Sequence, residues 1–365
     1  MNIATGFYTE EELIKALSAG NRDVFYEFFL LDQNENTIGS LPIEQGKISY
    51  DSSNEVMRTF TGATKKTEQF NLDSTDYYLR PYMCLRYNGD IVRWPLGKFI
   101  LNPSESHQDH MSDVTIIGYD PGKIALDDKT DSRTYAATGS IYTSLAAQIA
   151  GTMYSNINIE TSLKESLNPL EWEIGTEKIT IINDLLQSIS YSPMHFDENG
   201  ICQILPYVMD ANREIERVYQ DDDGSVIIDG LKVETNKFEV PNKIVRYVEN
   251  PDAAYLISSY INDDPDSPYS TVNRGRIIVD TDAVEDIASQ ADLDSYVRKI
   301  AAEKMQAVET LQLETLNMPG HGFHNCLLLS IDSYGIEGKY IETAWEMDLS
   351  EGGTMRHYLK KAVMV

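Results

Sequence analysis

Two periods alternate along the chain and divide it into three stretches. From Val24 to about residue 119, apolar residues come in runs or at every second position, the spacing of strands. Val24–Leu31 (VFYEFFLL) is apolar except for Glu27 and predicts a buried strand. Tyr78–Tyr87 and Ile91–Ile100 flank YNGD, where Asn88-Gly89 supplies the positive-φ pair of a tight hairpin. DVTIIGYD (113–120) adds another strand, so this stretch predicts an antiparallel sheet or barrel. Ahead of it, TEEELIKALSAGN predicts a short helix within residues 1–22, with Thr9 as N-cap, Glu12 at the capping-box position and Gly20 as stop.

Near residue 120 the period changes. DPGKIALDDKTDSR (120–133) reads as a linker with turn chemistry. SIYTSLAAQIAG then places Tyr142, Leu145 and Ile149 at helical spacing, with Gly151 past the end. A second helix puts Ile179, Ile182, Leu185, Leu186 and Ile189 on one face, and FDENGICQI predicts a hairpin turning at Asn199-Gly200. Strand signals return from residue 241 (NKIVRYVEN, AAYLISSYIN). One helix interrupts them, with Asp282 as cap, Glu285 at the reciprocal position and a long second part from Asp292 to about Gln306. Leu293, Tyr296, Val297 and Ile300 form its apolar stripe. The chain closes with strands in VETLQLETL, NCLLLSID, YIETAWEMDL and TMRHYLKKAVMV.

At 365 residues the chain exceeds one ordinary core and predicts two or three domains. The start is acidic where a signal peptide needs basic residues and an apolar run, which points to a protein made in a cytoplasm. No window approaches the about 18 consecutive apolar residues of a membrane span, so membrane insertion is not expected. Thirty basic against 58 acidic residues give a net charge of −28, dispersed along the chain. That opposes sequence-specific nucleic-acid binding, which needs clustered Lys and Arg. Twenty-two tyrosines suit broad protein contact as well as ordinary sheet surfaces.

Candidate chemistry is sparse. Cys84, Cys202 and Cys326 are widely spaced, without a C-x-x-C pair, and read as buried free thiols. YQDDDGS (219–225) imitates a calcium loop, but with Gly224 sixth the twelfth position is Gly230, where a bidentate Glu is required. NDDPDSP (262–268) and DDKTDS (127–132) read as loops. Two H-x-x-H pairs, His107/His110 and His321/His324 (the latter followed by Cys326), lack the further ligands of a zinc site. The nucleophile elbow, the phosphate loop and the dinucleotide fingerprint are all missing. No catalytic, cofactor or metal residue is therefore expected.

Trp172–Tyr207, WEIGTEKITIINDLLQSISYSPMHFDENGICQILPY, resembles a unit of the tail-hub proteins of tailed bacteriophages, the late-control D type and the tail-associated hub. SIYTSLAAQIAGTMYSNINIE resembles the helix and strand that precede it. GKYIETAWEMDLSEGGTMRHYLKKAV is similar to the family's last hairpin, and SPYSTVNRGRIIVD adds a weaker match. The resemblance spans roughly residues 20–365 and implies an α+β, mainly β fold with two tube-type antiparallel β-barrel domains. The expected division is 1–122 for the helix and first barrel, 123–240 for a smaller α/β domain, and 241–365 for the second barrel.

As function, the resemblance implies a structural baseplate or tail-tip hub and not an enzyme. It would be a virion protein made late, whose homotrimer forms a pseudo-hexameric ring around the channel of DNA ejection. Its implied partners are a distal tail or tail tube protein, the tape-measure C-terminus and a tip, spike or receptor-binding protein. Enzymatic or host-recognition roles would belong to another polypeptide. The equivalent hub of a tailocin or gene transfer agent is an alternative. A β-rich carbohydrate-active or calcium-dependent enzyme is another, but it needs a close carboxylate pair that nothing in the sequence points to.

One face remains to be assigned. In YIETAWEMDL, strict alternation places Ile341, Thr343, Trp345, Met347 and Leu349 in the core. Tyr340, Glu342, Ala344, Glu346 and Asp348 then face water, and Glu342, Glu346 and Asp348 are the expected channel-lining carboxylates, because like charge weakens phosphate contact.

Overall fold

The computed structural model describes residues 4–65, 77–108, 111–222, 224–235, 238–248, 255–267, 269–284, 287, 289–306 and 309–362. Helix α1 (Glu10–Ser18) opens it, capped as the sequence predicts: Glu12 N–H donates to Thr9 Oγ1, and Thr9 N–H donates to Glu12 Oε2 at 2.8 Å. Eight strands follow: β1 (Asp23–Leu31), β2 (Thr37–Ser40), β3 (Gln45–Asp51), β4 (Arg58–Lys65), β5 (Tyr78–Tyr87), β6 (Asp90–Pro95), β7 (Phe99–Gln108) and β8 (Met111–Tyr119). Between β5 and β6, Asn88 and Gly89 both take positive φ, the tight turn expected there.

The middle stretch holds α2 (Gly122–Asp127), β9 (Thr134–Ala136), α3 (Tyr142–Gly151), β10 (Ile157–Ile159), β11 (Leu170–Trp172), α4 (Lys178–Gln187), β12 (His195–Phe196) and β13 (Cys202–Ile204). Its core is separate: Ile179, Ile182, Leu185, Leu186 and Ile189 of the predicted α4 face pack with Tyr142, Ala146, Cys202 and Ile204. The β12–β13 hairpin docks on the first eight strands. Gly200 sits at φ +77°, and a Cβ there would lie 2.7 Å from Lys98 Cβ, so only glycine lets the two backbones approach.

The remaining elements are β14 (Arg217–Gln220), β15 (Ile227–Thr235), β16 (Lys243–Val248), β17 (Ile257–Ile261), α5 (Thr271–Arg274), β18 (Val279–Val284), α6 (Gln290–Gln306), β19 (Glu309–Leu316), β20 (Cys326–Ile331), β21 (Ile336–Asp348) and β22 (Thr354–Lys361). Strands β14, β15 and β19–β22 join β1–β8 in one fourteen-stranded sheet. Its order is β15-β19-β22-β21-β3-β4-β8-β7-β5-β1-β2, with β14 beside β20, β20 beside β21, and β6 beside β5. The two halves meet where β21 pairs antiparallel with β3, from Ala344↔Asp51 to Asp348↔Lys47. There Trp345 stacks on Tyr50 at 5.6 Å, and one apolar core runs through both halves.

The chain is mainly β, 44% strand against 19% helix, as expected. Several local expectations are corrected. Residues 122–127, read as linker, form α2. The strand expected over 91–100 breaks at Gly97 (φ +143°), ending β6 at Pro95. Asp282 does not cap a helix but lies inside β18, where parallel pairing with β16 claims it; Glu285 falls outside the described residues. Helix α6 is capped by Ser289, whose Oγ accepts from Asp292 N–H. Strands β16–β18 form their own sheet under α6, with Val248, Val284, Ile287 and Leu293 buried between them. Strands β14 and β15, read as part of the middle stretch, belong to the large sheet instead.

All three thiols are buried and free, as expected. Among the described residues no helix is long and apolar enough to cross a membrane. Because Trp345 is buried at the meeting of the halves, Trp345→Ala should cost about 3–5 kcal/mol. A drop in the chemical-denaturation midpoint checks this; a change under 1 kcal/mol, within the range of an ordinary surface substitution, would show that the halves do not depend on this contact.

Candidate functional site

Strand β21 carries the three carboxylates singled out in the sequence, and it treats them differently. Relative to β22 the register shifts between Glu342 and Ala344, a bulge that leaves Thr343 as the extra residue. A one-residue slip moves every later side chain to the other face. Before the bulge Tyr340 and Glu342 point inward; after it Trp345 and Met347 do. Glu342, expected to face water, is therefore wholly buried. Glu346 stays outside, 2.9 Å from Lys47 Nζ and 3.8 Å from Arg356. Asp348 is exposed, and its carboxylate makes no ion pair among the described residues.

Inside, Glu342 meets two histidines. His321 Nδ1 lies 2.7 Å from its Oε2 and His357 Nδ1 lies 2.6 Å from its Oε1. The outer nitrogens are partnered too: His321 Nε2 lies 3.0 Å from the Tyr219 hydroxyl, and His357 Nε2 lies 2.9 Å from Thr315 Oγ1. Four strands and one loop thus converge, β14, β19, β21, β22 and residues 317–325. His321 was singled out in the sequence with His324 and Cys326, but neither of those joins it. His357 carries no local signal; it lies in an apolar alternation with Met355 and Leu359, and only the fold brings it to Glu342.

The Thr315 hydroxyl lies between His357 Nε2 and the Leu316 carbonyl, 2.9 Å from each. Both ring nitrogens of His321 are partnered as well, Nδ1 by Glu342 and Nε2 by the Tyr219 hydroxyl. A buried carboxylate is tolerated where hydrogen-bond donors surround it, and two imidazoles supply them here. Burial pushes the Glu342 carboxyl up, but its bonds to both histidines outweigh that and hold it at about 2. Burial pushes His321 down, against the pull of Glu342.

His321, Glu342 and His357 are also the described His, Cys, Asp or Glu side chains whose ligand atoms converge, within 4.8 Å of one another. Contacts of 2.6 and 2.7 Å are hydrogen-bond lengths. Neighbouring ligands of a zinc ion bound at about 2.0–2.2 Å stand roughly 3 Å apart or more. Protons complete this cluster as it stands. The side chain of His107, and His110 altogether, lie outside the described residues. Of the supposed calcium loop, Asp221 accepts from the backbone N–H of Asp332 and Ser333, a turn-bracing role; Asp223 is not among the described residues.

With strand order, core and buried cluster defined, the fold is that of phage tail proteins. The chain is similar to a tail protein from Neisseria meningitidis (TM-score 0.66, 13% identity, 92% of this chain on 97% of that one). It is similar to the 43 kDa tail protein of prophage MuSo2 from Shewanella oneidensis (TM-score 0.63, 8% identity, 92% on 98%). It also superposes on a Francisella PdpA–VgrG complex (TM-score 0.54, 10% identity, 94% of this chain on 53% of that one). No family model and no curated protein matches the sequence.

Replacing one partner of a buried ion pair leaves the other uncompensated, at a cost of about 3–5 kcal/mol. Glu342→Gln should lose that much near neutral pH, measured by denaturant unfolding. A variant as stable as the parent would show that the two histidines do not depend on a charged partner at Glu342.

Proposed function

We propose that this chain is a structural hub at the tip of a phage tail and not an enzyme. The observation that carries this is the likeness of fold to phage tail proteins over 92% of the chain. In this reading each half of the large sheet is one tube-type barrel. Strands β1–β8 make the first, and β14, β15 and β19–β22 make the second. Three chains then supply six barrels, a closed cyclic trimer that imitates sixfold symmetry. Such a ring joins a hexameric tail tube or distal tail ring to a trimeric tip or spike, with the tape-measure C-terminus inside. The likeness to the VgrG complex favours, as second reading, the same hub in a phage-derived particle such as a tailocin or gene transfer agent.

Of the three carboxylates assigned to the channel, Glu346 and Asp348 keep an outward position, and we place these two on the lumen. Glu346 shares its face with Lys47 and Arg356, so the wall there is of mixed sign, and Asp348 is its carboxylate without an ion pair among the described residues.

Native mass measurement at high salt tests the trimer; a stable dimer as dominant species overturns it. Glu346→Lys combined with Asp348→Lys should slow DNA release from assembled particles, most strongly at low salt. A map of the assembled tip with both carboxylates on the outer rim removes them from the channel.

A further inference from the structure

The loop from Asn317 to Asn325 touches every part of the molecule around it. Asn317 Nδ2 donates to the Tyr26 hydroxyl of β1 at 2.6 Å, and Arg22 donates to the Asn317 carbonyl at 3.0 Å. Arg217, paired with Glu10 of α1, donates to the Pro319 carbonyl at 3.0 Å. Arg58 of β4 donates to the His321 carbonyl at 3.3 Å. Phe323 is sandwiched between His195 of β12, at 4.1 Å, and His324. His324 Nε2 lies 3.1 Å from Ser52 Oγ, beyond the end of β3. The loop therefore clasps the second half to the first and to the middle unit. His321 is the side chain that pins it into the sheet interior, through Glu342 and Tyr219.

We propose that residues 317–325 form an acid-released clasp, with His321 as its catch. Closed, the catch admits no further proton. Both nitrogens of His321 are already partnered, Nδ1 by Glu342 of β21 and Nε2 by the Tyr219 hydroxyl of β14, and burial holds the ring below its ordinary value. The His357 ring of β22 stands 5.0 Å from it and shares the single carboxylate, and Arg217 nearby opposes a further positive charge. Thr315 of β19, the other group facing the cluster, carries no charge. Open, His321 meets water and titrates near its ordinary value of 6.5.

The sign follows from counting protons. The open loop binds one more proton than the closed loop wherever pH lies below the ordinary imidazole value. Opening is thus favoured by acid, about tenfold per pH unit, for as long as the closed ring stays neutral. Glu342 adds to this in the same direction: when exposed it protonates near 4.5, whereas closed it holds out to about 2. At neutral pH neither group contributes a slope. This inference rests on contacts within one chain and stands whether or not the chain proves to be a hub.

Hydrogen exchange of the whole chain, corrected for the intrinsic pH dependence of exchange, tests it. Between about pH 6.5 and 5, amides of 317–325 should gain opening at about tenfold per pH unit, while β4, β5 and β8 keep their protection. In His321→Gln, which cannot titrate and keeps one bond to Glu342, the slope for the loop should vanish. The clasp is overturned if loop and sheet lose protection together, since that is global acid unfolding. It is equally overturned if the loop's protection is flat with pH in the parent, or if His321→Gln retains the slope. Should His321→Gln fail to fold, the comparison of loop and sheet in the parent decides alone.

Discussion

The pairing of β21 with β3 is the contact on which the rest of the molecule depends. Five residue pairs, Ala344↔Asp51 through Asp348↔Lys47, turn two sets of strands far apart in sequence into one sheet. Backbone bonds alone would leave that seam as weak as any two-stranded edge. What closes it is Trp345 stacked on Tyr50, with the Arg58 guanidinium 5.6 and 5.7 Å from the two rings. A desolvated cation over aromatic faces contributes up to about 2 kcal/mol. Arg58 is placed for this from both ends: its N–H donates to Asp120 at 2.8 Å, and its guanidinium reaches the His321 carbonyl.

A strand with three partners cannot remain regular. The first part of β21 pairs with β20, ending at Ile341↔Cys326, and its last part pairs with β3, beginning at Ala344. Strand β22 runs along both parts. The bulge at Thr343 falls between them, where added twist lets the strand leave one partner and meet the next. It also sets the chemistry. Without the slip, Trp345 would face solvent or Glu342 would, and the seam and the buried cluster could not coexist on one strand. The geometry that joins the halves is thus the geometry that buries an acid.

Most of the secondary structure was legible because it follows local rules: the α1 capping box, the Asn88-Gly89 turn, the α4 stripe and the closing strands. What was not legible is instructive. Period-2 counting on YIETAWEMDL has no means of seeing a bulge, since the extra residue depends on what β20, β22 and β3 each require. It therefore placed Trp345 and Met347 correctly and misplaced Tyr340 and Glu342. Asp282 looked like a cap because its neighbourhood suits a helix start, but a parallel partner in β16 outweighed that local preference. His321 stood out by its spacing to His324, which proved irrelevant; its partners are Glu342, 21 positions on, and Tyr219, 102 positions back, and the His357 that shares Glu342 was unremarkable. The separate sheet under α6 was hidden for the same reason, because strand signals do not say which strands meet.

Charge then constrains how the proposed ring can form. Each chain carries a formal charge of −28. Three copies would bring together charges that repel at every rim, softened only within a Debye length of about 8 Å at physiological salt. The acidic surface therefore opposes assembly. The two are reconciled if attraction is short-ranged and apolar while repulsion is long-ranged and screened. The open face of β17, with Ile257 and Ile261 half exposed, and the exposed Val279 of β18 are apolar surface of that kind. Association built this way strengthens as salt rises, the reverse of a nucleic-acid contact, and it gains most from a neighbouring ring that holds the copies in place while the screened repulsion is overcome.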